Sequence, residues 1–244
     1  MKQTLFTITE NAPLTPDVYR MRLAGDTSEI TAPGQFVNIR LAGLYLRRPI
    51  SVCDCEGDLL TLIYKTVGRG TEQMARMRAG EKLDILTGLG NGYDLRESGQ
   101  RPLLLGGGVG VPPLYLLARR LAGQGKQVSA ILGFNTRSEV FYADEFRALG
   151  CDVTVTTADG SQGVKGFVTH ALPADFTYFF ACGPEPMLKA VSNACPTSGQ
   201  LSLEERMGCG FGACMGCSIQ TAGGPKRVCK DGPVFKKEEL PWNA

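Results

Sequence analysis

The chain holds one histidine, His170, and one tryptophan, Trp242, among 244 residues. A single imidazole removes the usual base of Ser-His-Asp hydrolysis and the usual ligands of a His-bound catalytic metal. Excess charge is missing too. The 26 Lys and Arg against 24 Asp and Glu leave a net charge of +2, so no electrostatic footprint for nucleic acid is present. No apolar stretch approaches the roughly eighteen residues of a membrane span. The opening residues, MKQTLFTITE, lack the apolar run of a secretory signal. The expected location is therefore the cytoplasm, where thiols stay reduced. The nine cysteines are an odd number, and a chain of this length needs no disulfide staples.

What is present in abundance is glycine, 31 residues in all, much of it beside cysteine. Residues 207–217 read Met-Gly-Cys-Gly-Phe-Gly-Ala-Cys-Met-Gly-Cys, and Cys229 follows twelve residues later. Cys209, Cys214, Cys217 and Cys229 thus have C-x4-C-x2-C…C spacing, the plant-type ferredoxin arrangement for a 2Fe-2S cluster. A cluster with four thiolate ligands is anionic, so backbone N–H groups must face its sulfurs, and the interspersed glycines allow that close wrap. A structural zinc site is the alternative, but it usually shows two C-x2-C pairs and only one is present. Cys53, Cys55, Cys151, Cys182 and Cys195 are scattered, and Cys53-x-Cys55 has the wrong spacing for a redox pair.

At this length two or three modules are expected. Residues 1–98 read as short strands punctuated by Gly, Pro and Asp, which predicts a small antiparallel β-barrel or sandwich. In the run 36–41, Val37, Ile39 and Leu41 fall on one face, with Asn38 and Arg40 on the other. Residues 99–200 alternate strands with helices, including predicted helices over 139–149 and 185–194, and so predict a doubly wound parallel sheet. Residues 201–244 form a small Gly- and Cys-rich module. The expected fold class is multidomain α/β with a β-barrel.

Gly108-x-Gly110-x-x-Pro113 joins a predicted strand to a predicted helix, the setting in which glycines admit a pyrophosphate to a helix N-terminus. A tight turn without ligand is the plainer reading. Asp159 follows a later strand, where a carboxylate would repel a 2′-phosphate, which favours NADH over NADPH. Arg137 argues the opposite. Cys182-Gly183-Pro184 occupies another strand's carboxyl tip, the expected address of nicotinamide. In the β-region, Arg48 and Ser51 lie on one extended segment, able to clamp a phosphate and touch a ring edge. Gly70 and Thr71 form a second turn suited to phosphate. His170 opens a short helix and reads as structural.

Together these segments resemble the ferredoxin–NADP reductase superfamily over essentially the whole chain. Arg48-Pro49-Ile50-Ser51 is similar to its flavin-binding Arg-x-Tyr-Ser/Thr, Gly108–Pro113 to its Gly-Thr-Gly-x-x-Pro, and Cys182-Gly183-Pro184 to its Cys-Gly-Pro. Within that superfamily the chain most resembles the electron-transfer subunits of NAD-dependent (class B) dihydroorotate dehydrogenases. The matching hallmarks are Arg-Arg-Pro-Ile-Ser at 47–51, Gly88-Leu-Gly90-Asn91-Gly92-Tyr93, and Ser202–Met207 before the cluster loop. The resemblance implies FAD held by Arg48, Pro49, Ile50, Ser51, Ile63, Tyr64, Lys65, Gly70 and Thr71. It implies NAD at Gly108, Gly110, Pro113, Asp159, Cys182, Gly183 and Pro184, with Ser51 and Cys182 flanking the hydride transfer. Ile50 departs from the superfamily's aromatic residue, which makes Tyr64 the candidate to stack on flavin.

The expected activity is electron transfer between NAD and a 2Fe-2S cluster through FAD, because nicotinamide moves two electrons, the cluster one, and flavin either. A barrel for FMN and a catalytic base needs about 250 residues of its own. The resemblance therefore implies a separate FMN-containing catalytic subunit that oxidises dihydroorotate, in a heterotetramer with two subunits of each kind. Three alternatives stay open: a reductase subunit serving a hydrogenase or a ferredoxin:NADP transhydrogenase, a stand-alone NADH-dependent reductase, and a non-catalytic redox sensor.

Overall fold

A computed structural model describes residues 1–242. Six antiparallel strands close a barrel: β1 (Lys2–Pro13), β2 (Val18–Ala24), β3 (Phe36–Arg40), β4 (Arg48–Glu56), β5 (Leu59–Lys65) and β6 (Lys82–Leu89), in the order β1-β2-β5-β4-β3-β6. Helix α1 (Arg69–Ala75) spans the gap between β5 and β6. The pleat decides what fills the barrel: Leu83 and Ile85 of β6 are buried at period two in one core with Val37 and Ile39 of β3, whereas Leu89 packs with Phe36 in the core shared with the cysteine module. Asn38, predicted on the outer face, is buried as well, because the cysteine-rich module covers it.

The second unit runs β7 (Pro102–Gly107), α2 (Tyr115–Gly123), β8 (Ser129–Phe134), α3 (Ala143–Ala148), β9 (Asp152–Thr157), β10 (Val164–Lys165), β11 (Tyr178–Cys182), α4 (Glu185–Ala194) and β12 (Gly199–Ser202). These strands form a parallel sheet ordered β10-β9-β8-β7-β11-β12. Its two faces bury different cores. Leu104 points into one that also contains Val18, Cys53 and Ile63 of the barrel, while Leu103 and Leu105 point into one shared with Cys217, Val228 and Cys229. The sheet is thus clamped between barrel and cysteine module.

After β12 come the hairpin β13 (Ser218–Thr221) and β14 (Gly224–Arg227), helix α5 (Val228–Asp231) and β15 (Val234–Lys236). Strand β15 pairs antiparallel with β12 as the seventh strand of the sheet. The expected boundary at 200/201 therefore falls inside β12, and the cysteine module is tied into the nucleotide sheet rather than appended to it. No helix among the described residues is long and apolar enough to cross a membrane.

Candidate functional site

Strand order locates the crevice. From β7 the chain proceeds through β8 and β9 on one side, then crosses to β11 and β12 on the other, so the order reverses between β7 and β11. Ligands of doubly wound sheets bind outside the strand carboxyl ends at that reversal. A cleft of about 620 Å³ lies there, bordered by Gly108 and Gly110 after β7 and by Gly183 and Pro184 after β11. The two loops touch: a Cβ on Gly110 would overlap the carbonyl of Cys182, so only glycine lets them close. Cys182 itself sits behind this wall, 2% exposed, and burial pushes its thiol up to about 12. It therefore stays a neutral thiol at physiological pH.

Besides Cys182, two further sequence-based assignments do not border the cleft. Pro113 is buried in the turn entering α2, where its fixed φ starts the helix. Asp159 is exposed, and its carboxylate accepts from the backbone N–H and hydroxyl of Ser161, at 2.9 and 2.6 Å, in its own loop. The carboxylate that does border the cleft is Glu139, which accepts from the backbone N–H and Nδ2 of Asn135 at 3.2 and 2.9 Å. Phe134, Asn135 and Phe167 also border it and were missed in the sequence. The carboxyl-end rule pointed at the first two, since both lie where β8 ends.

Strand β4 presents Arg48, Pro49, Ile50 and Ser51, all half-buried, along the barrel. Its two arginines differ in kind. Arg47 pairs with Asp84 at 2.9 Å and donates to the carbonyl of Asn38, which ties barrel strands together. Arg48 has only carbonyl partners, Leu46 at 2.6 Å and Arg47 at 3.3 Å, and no carboxylate among the described residues. Its guanidinium lies so close over Gly70 that a Cβ there would overlap Nε. An unneutralised guanidinium over a bare backbone turn is a fitting receptor for a diphosphate. Thr71 lends its hydroxyl to the same turn, accepting from the N–H of Val67 at 2.9 Å.

Of the β5 residues, Ile63 packs in the core between barrel and sheet, while Lys65 borders the nucleotide cleft with its ammonium 3.0 Å from Asp17. Tyr64 is not a flavin-stacking side chain. Its ring is 2% exposed, stacks on Tyr19 with centroids 5.9 Å apart, and its hydroxyl donates to Asn11 at 3.0 Å. Any flavin contact at this position runs through its backbone. Tyr64→Phe is accordingly expected to lower stability by about 1 kcal/mol, the worth of one hydrogen bond, with flavin affinity unchanged when thermal unfolding and flavin binding are measured side by side.

The cysteine loop organises four thiols as two pairs. The backbone N–H groups of Ala213 and Cys214 donate to Sγ of Cys209 at 3.2 and 3.4 Å, and the N–H of Cys209 donates to Sγ of Cys214 at 3.4 Å. In the second pair the N–H of Cys229 donates to Sγ of Cys217 at 3.4 Å. Burial raises the Cys209 thiol, yet donation from Phe211, Cys214 and Ala213 outweighs it and brings the group down to about 6. Burial and the neighbouring Cys217 push Cys229 up to about 12. A mononuclear zinc site gathers four ligands around one centre. Two thiol pairs with N–H groups aimed at sulfur suit one iron per pair. Arg227 braces the loop, donating to the carbonyl of Gly212 at 2.7 Å while holding Asp231 at 3.2 Å.

Barrel, doubly wound sheet and thiol module together define a reductase of the ferredoxin–NADP reductase class with an added iron–sulfur module, the fold class expected from the sequence. The model for the iron-sulfur cluster binding domain of dihydroorotate dehydrogenase B matches residues 204–241, and that for the oxidoreductase NAD-binding domain matches 104–193. A dihydroorotate dehydrogenase B (NAD(+)) electron transfer subunit from Geobacillus sp. (strain WCH70) is 45% identical, covering 98% of this chain and 99% of its own. One from Fusobacterium nucleatum is also 45% identical, over 96% of each. Among solved structures, a chain of an NADH-dependent reduced ferredoxin–NADP oxidoreductase superposes with a TM-score of 0.89 at 32% identity, covering 98% of this chain and 91% of that one. A ferredoxin NADP+ reductase from Neisseria gonorrhoeae shares the fold alone, with a TM-score of 0.69 at 20% identity over 80% and 90% of the two chains. The chain belongs to the family of electron transfer subunits of dihydroorotate dehydrogenase B.

Proposed function

We propose that this chain moves electrons between NAD and a separate FMN-containing subunit that oxidises dihydroorotate, in a cytoplasmic heterotetramer with two copies of each. FAD, when bound, would supply the step between two-electron hydride exchange with nicotinamide and one-electron exchange with a 2Fe-2S cluster. The residues of this chain bind, orient and connect. Arg48, with the turn at Gly70 and Thr71, holds the flavin's diphosphate, and Pro49, Ile50 and Ser51 line its ring, with Ile63, Tyr64 and Lys65 alongside. Gly108, Gly110, Gly183 and Pro184 seat the dinucleotide, with Glu139 rather than Asp159 placed to meet the ribose and disfavour a 2′-phosphate. Cys182, neutral and buried, stands behind the Gly183-Pro184 end of the cleft, and Ser51 lies on the flavin strand. Cys209 and Cys214 take one iron, Cys217 and Cys229 the other.

One observation carries this reading. Asn38 pairs through its backbone with Pro49 of the flavin strand, and its Nδ2 donates to the carbonyl of Cys209 at 3.1 Å. A single barrel residue therefore links the flavin strand to a cluster ligand, which supports direct passage between the two groups. The catalytic subunit would dock where Cys214 reaches the surface beside the exposed Phe211 and Met215.

Arg48→Ala tests the flavin assignment. Losing a charge-assisted clamp worth about 1.5–3 kcal/mol weakens FAD binding by roughly ten- to a hundredfold. Arg47→Ala should cost stability instead, with FAD affinity held within a few fold. Equal effects of the two on FAD affinity would contradict the assignment. Capture of the chain from its native cells, with cofactor analysis of what is retained, tests the partner. An FMN protein that oxidises dihydroorotate is expected, and a hydrogenase would overturn the proposal.

A further inference from the structure

Helix α2 touches both halves of the reaction centre proposed above. It follows the loop that carries Gly108 and Gly110, and midway along it Arg119 reaches across to the barrel. Nη2 of Arg119 donates to the carbonyl of Cys55 at 2.7 Å and lies 2.8 Å from Oδ1 of Asp54, while Nη1 lies 3.6 Å from Glu56. All three partners belong to β4, whose first residues are the Arg48–Ser51 segment.

The strand is shaped for this grip. Its register against β5 shifts between Val52 and Asp54, and a bulge of this kind re-aims the side chains beside it. Cys53 is buried at the shift, in one core with Leu114 and Leu117, so strand and helix pack together there. The Asp54 side chain is 19% exposed, and its Oδ1 also accepts from the N–H of Cys55 at 2.9 Å. A guanidinium set on a largely buried carboxylate and the next carbonyl makes a directional joint, unlike a screened surface ion pair.

The levers are short. From Ser51 to Asp54 is about 10 Å of extended strand, and from Arg119 back to Tyr115 about 6 Å of helix. Strand β4 is paired to β3 over its first half and to β5 over its second, so a shift at the clasp is passed along it. Arg120, next on the helix, donates instead to the carbonyl of Thr31 at 2.8 Å, in the barrel but off β4.

Resting on the proposed hydride exchange, we infer that Arg119 is a positioning residue for it. Its clasp on β4 sets the flavin strand against the nucleotide loop, so the gap the hydride crosses is fixed before either group binds. In that step the C–H bond at C4 of the dihydronicotinamide breaks and an N–H bond forms at N5 of the flavin. Both electrons travel with the hydrogen, so NADH is oxidised as FAD is reduced. Arg119 acts only through the two elements it joins.

The test uses the full chain loaded with FAD and mixed rapidly with NADH. In Arg119→Met the rate constant of flavin bleaching at saturating NADH should fall at least about tenfold, since a misplacement of about 1 Å can cost about a hundredfold. The long-wavelength absorbance of nicotinamide lying against flavin should weaken in parallel. The Kd for FAD, titrated into the flavin-free chain, and the NADH concentration for half-maximal bleaching should stay within about threefold, because neither site loses a contact. Arg119→Lys keeps the charge without the planar fork and should recover part of the rate. Arg120→Met is the control for lost stability. It also unties α2 from the barrel, yet its bleaching should remain within about twofold of the parent. If Asp54, left without its partner, keeps Arg119→Met from folding, the double variant with Asp54→Asn removes both charges and carries the same expectation. Bleaching within about twofold in the Arg119→Met variants, or a loss matched by Arg120→Met or by the Kd for FAD, overturns the clasp. A parent chain that binds FAD but is not bleached by NADH overturns the hydride reading and the clasp with it.

Discussion

Cys214→Ser, made in the intact chain, is expected to abolish cluster-dependent electron transfer while leaving flavin reduction by NADH intact. Cys214 is the exposed member of the quartet, so the substitution removes a proposed iron ligand without opening a cavity. Cys217 and Cys229 are each 2% exposed and share a core with Val228 and Leu201, so serine there would add a buried polar group and confuse loss of iron with loss of fold. Losing even an outer-shell partner of a metal ligand costs ten- to a hundredfold, so loss of a ligand itself should reduce dihydroorotate-driven NADH formation on the order of a hundredfold or more. Rapid-mixing measurement of flavin bleaching by NADH should stay within twofold. Retention of full overall turnover would show that electrons bypass the cluster.

Gly110→Ala should be nearly as damaging, for a steric reason. The added Cβ meets the carbonyl of Cys182 and the Cα of Gly183, which are backbone atoms pinned by β11 and cannot yield as a side chain would. Overpacking of this kind costs about 1–3 kcal/mol, a large share of the roughly 5–15 kcal/mol that holds a domain folded. The two loops that border the cleft would be pushed apart, and on the proposed nucleotide reading the KM for NADH rises at least about tenfold. Gly108→Ala is the control. Gly108 has a φ of +52° but nothing within 4 Å of an added Cβ, so only backbone strain of roughly 1 kcal/mol is expected. Comparison of melting temperatures and of NADH kinetics for the two variants separates clash from strain.

Much of this was legible in the sequence where local chemistry dictates local structure. Helix α4 occupies the predicted 185–194 because Gly183-Pro184 ends the strand and Glu185 suits the first turn. The helix predicted over 139–149 begins only at Ala143. Phe141 and Tyr142 are drawn instead into the core between barrel and sheet, with Tyr142 held at a φ of +65°. That core is built by residues far away in the chain, so no local pattern announces it. The same holds for β15, three residues whose strand character comes from pairing with β12, and for Asn38, whose burial depends on the loop around Cys209. Among the candidate site residues, those set by turn chemistry and spacing could be singled out in the sequence: the glycines at the two strand ends, the Arg48 segment and the cysteine quartet. Glu139 and Phe167 were missed because neither stands in a motif. Only the folding of separate strand ends onto one cleft reveals them.

The pairing of Cys209 with Cys214 and of Cys217 with Cys229, beside a flavin-holding barrel, is the claim on which the rest depends. Metal, sulfide and flavin analysis of the anaerobically purified chain, followed by paramagnetic resonance after addition of NADH, tests it most directly. The expected result is about two irons and two sulfides per chain with one FAD, and a one-electron resonance that appears on reduction. One zinc per chain, no sulfide and no yellow chromophore would contradict it.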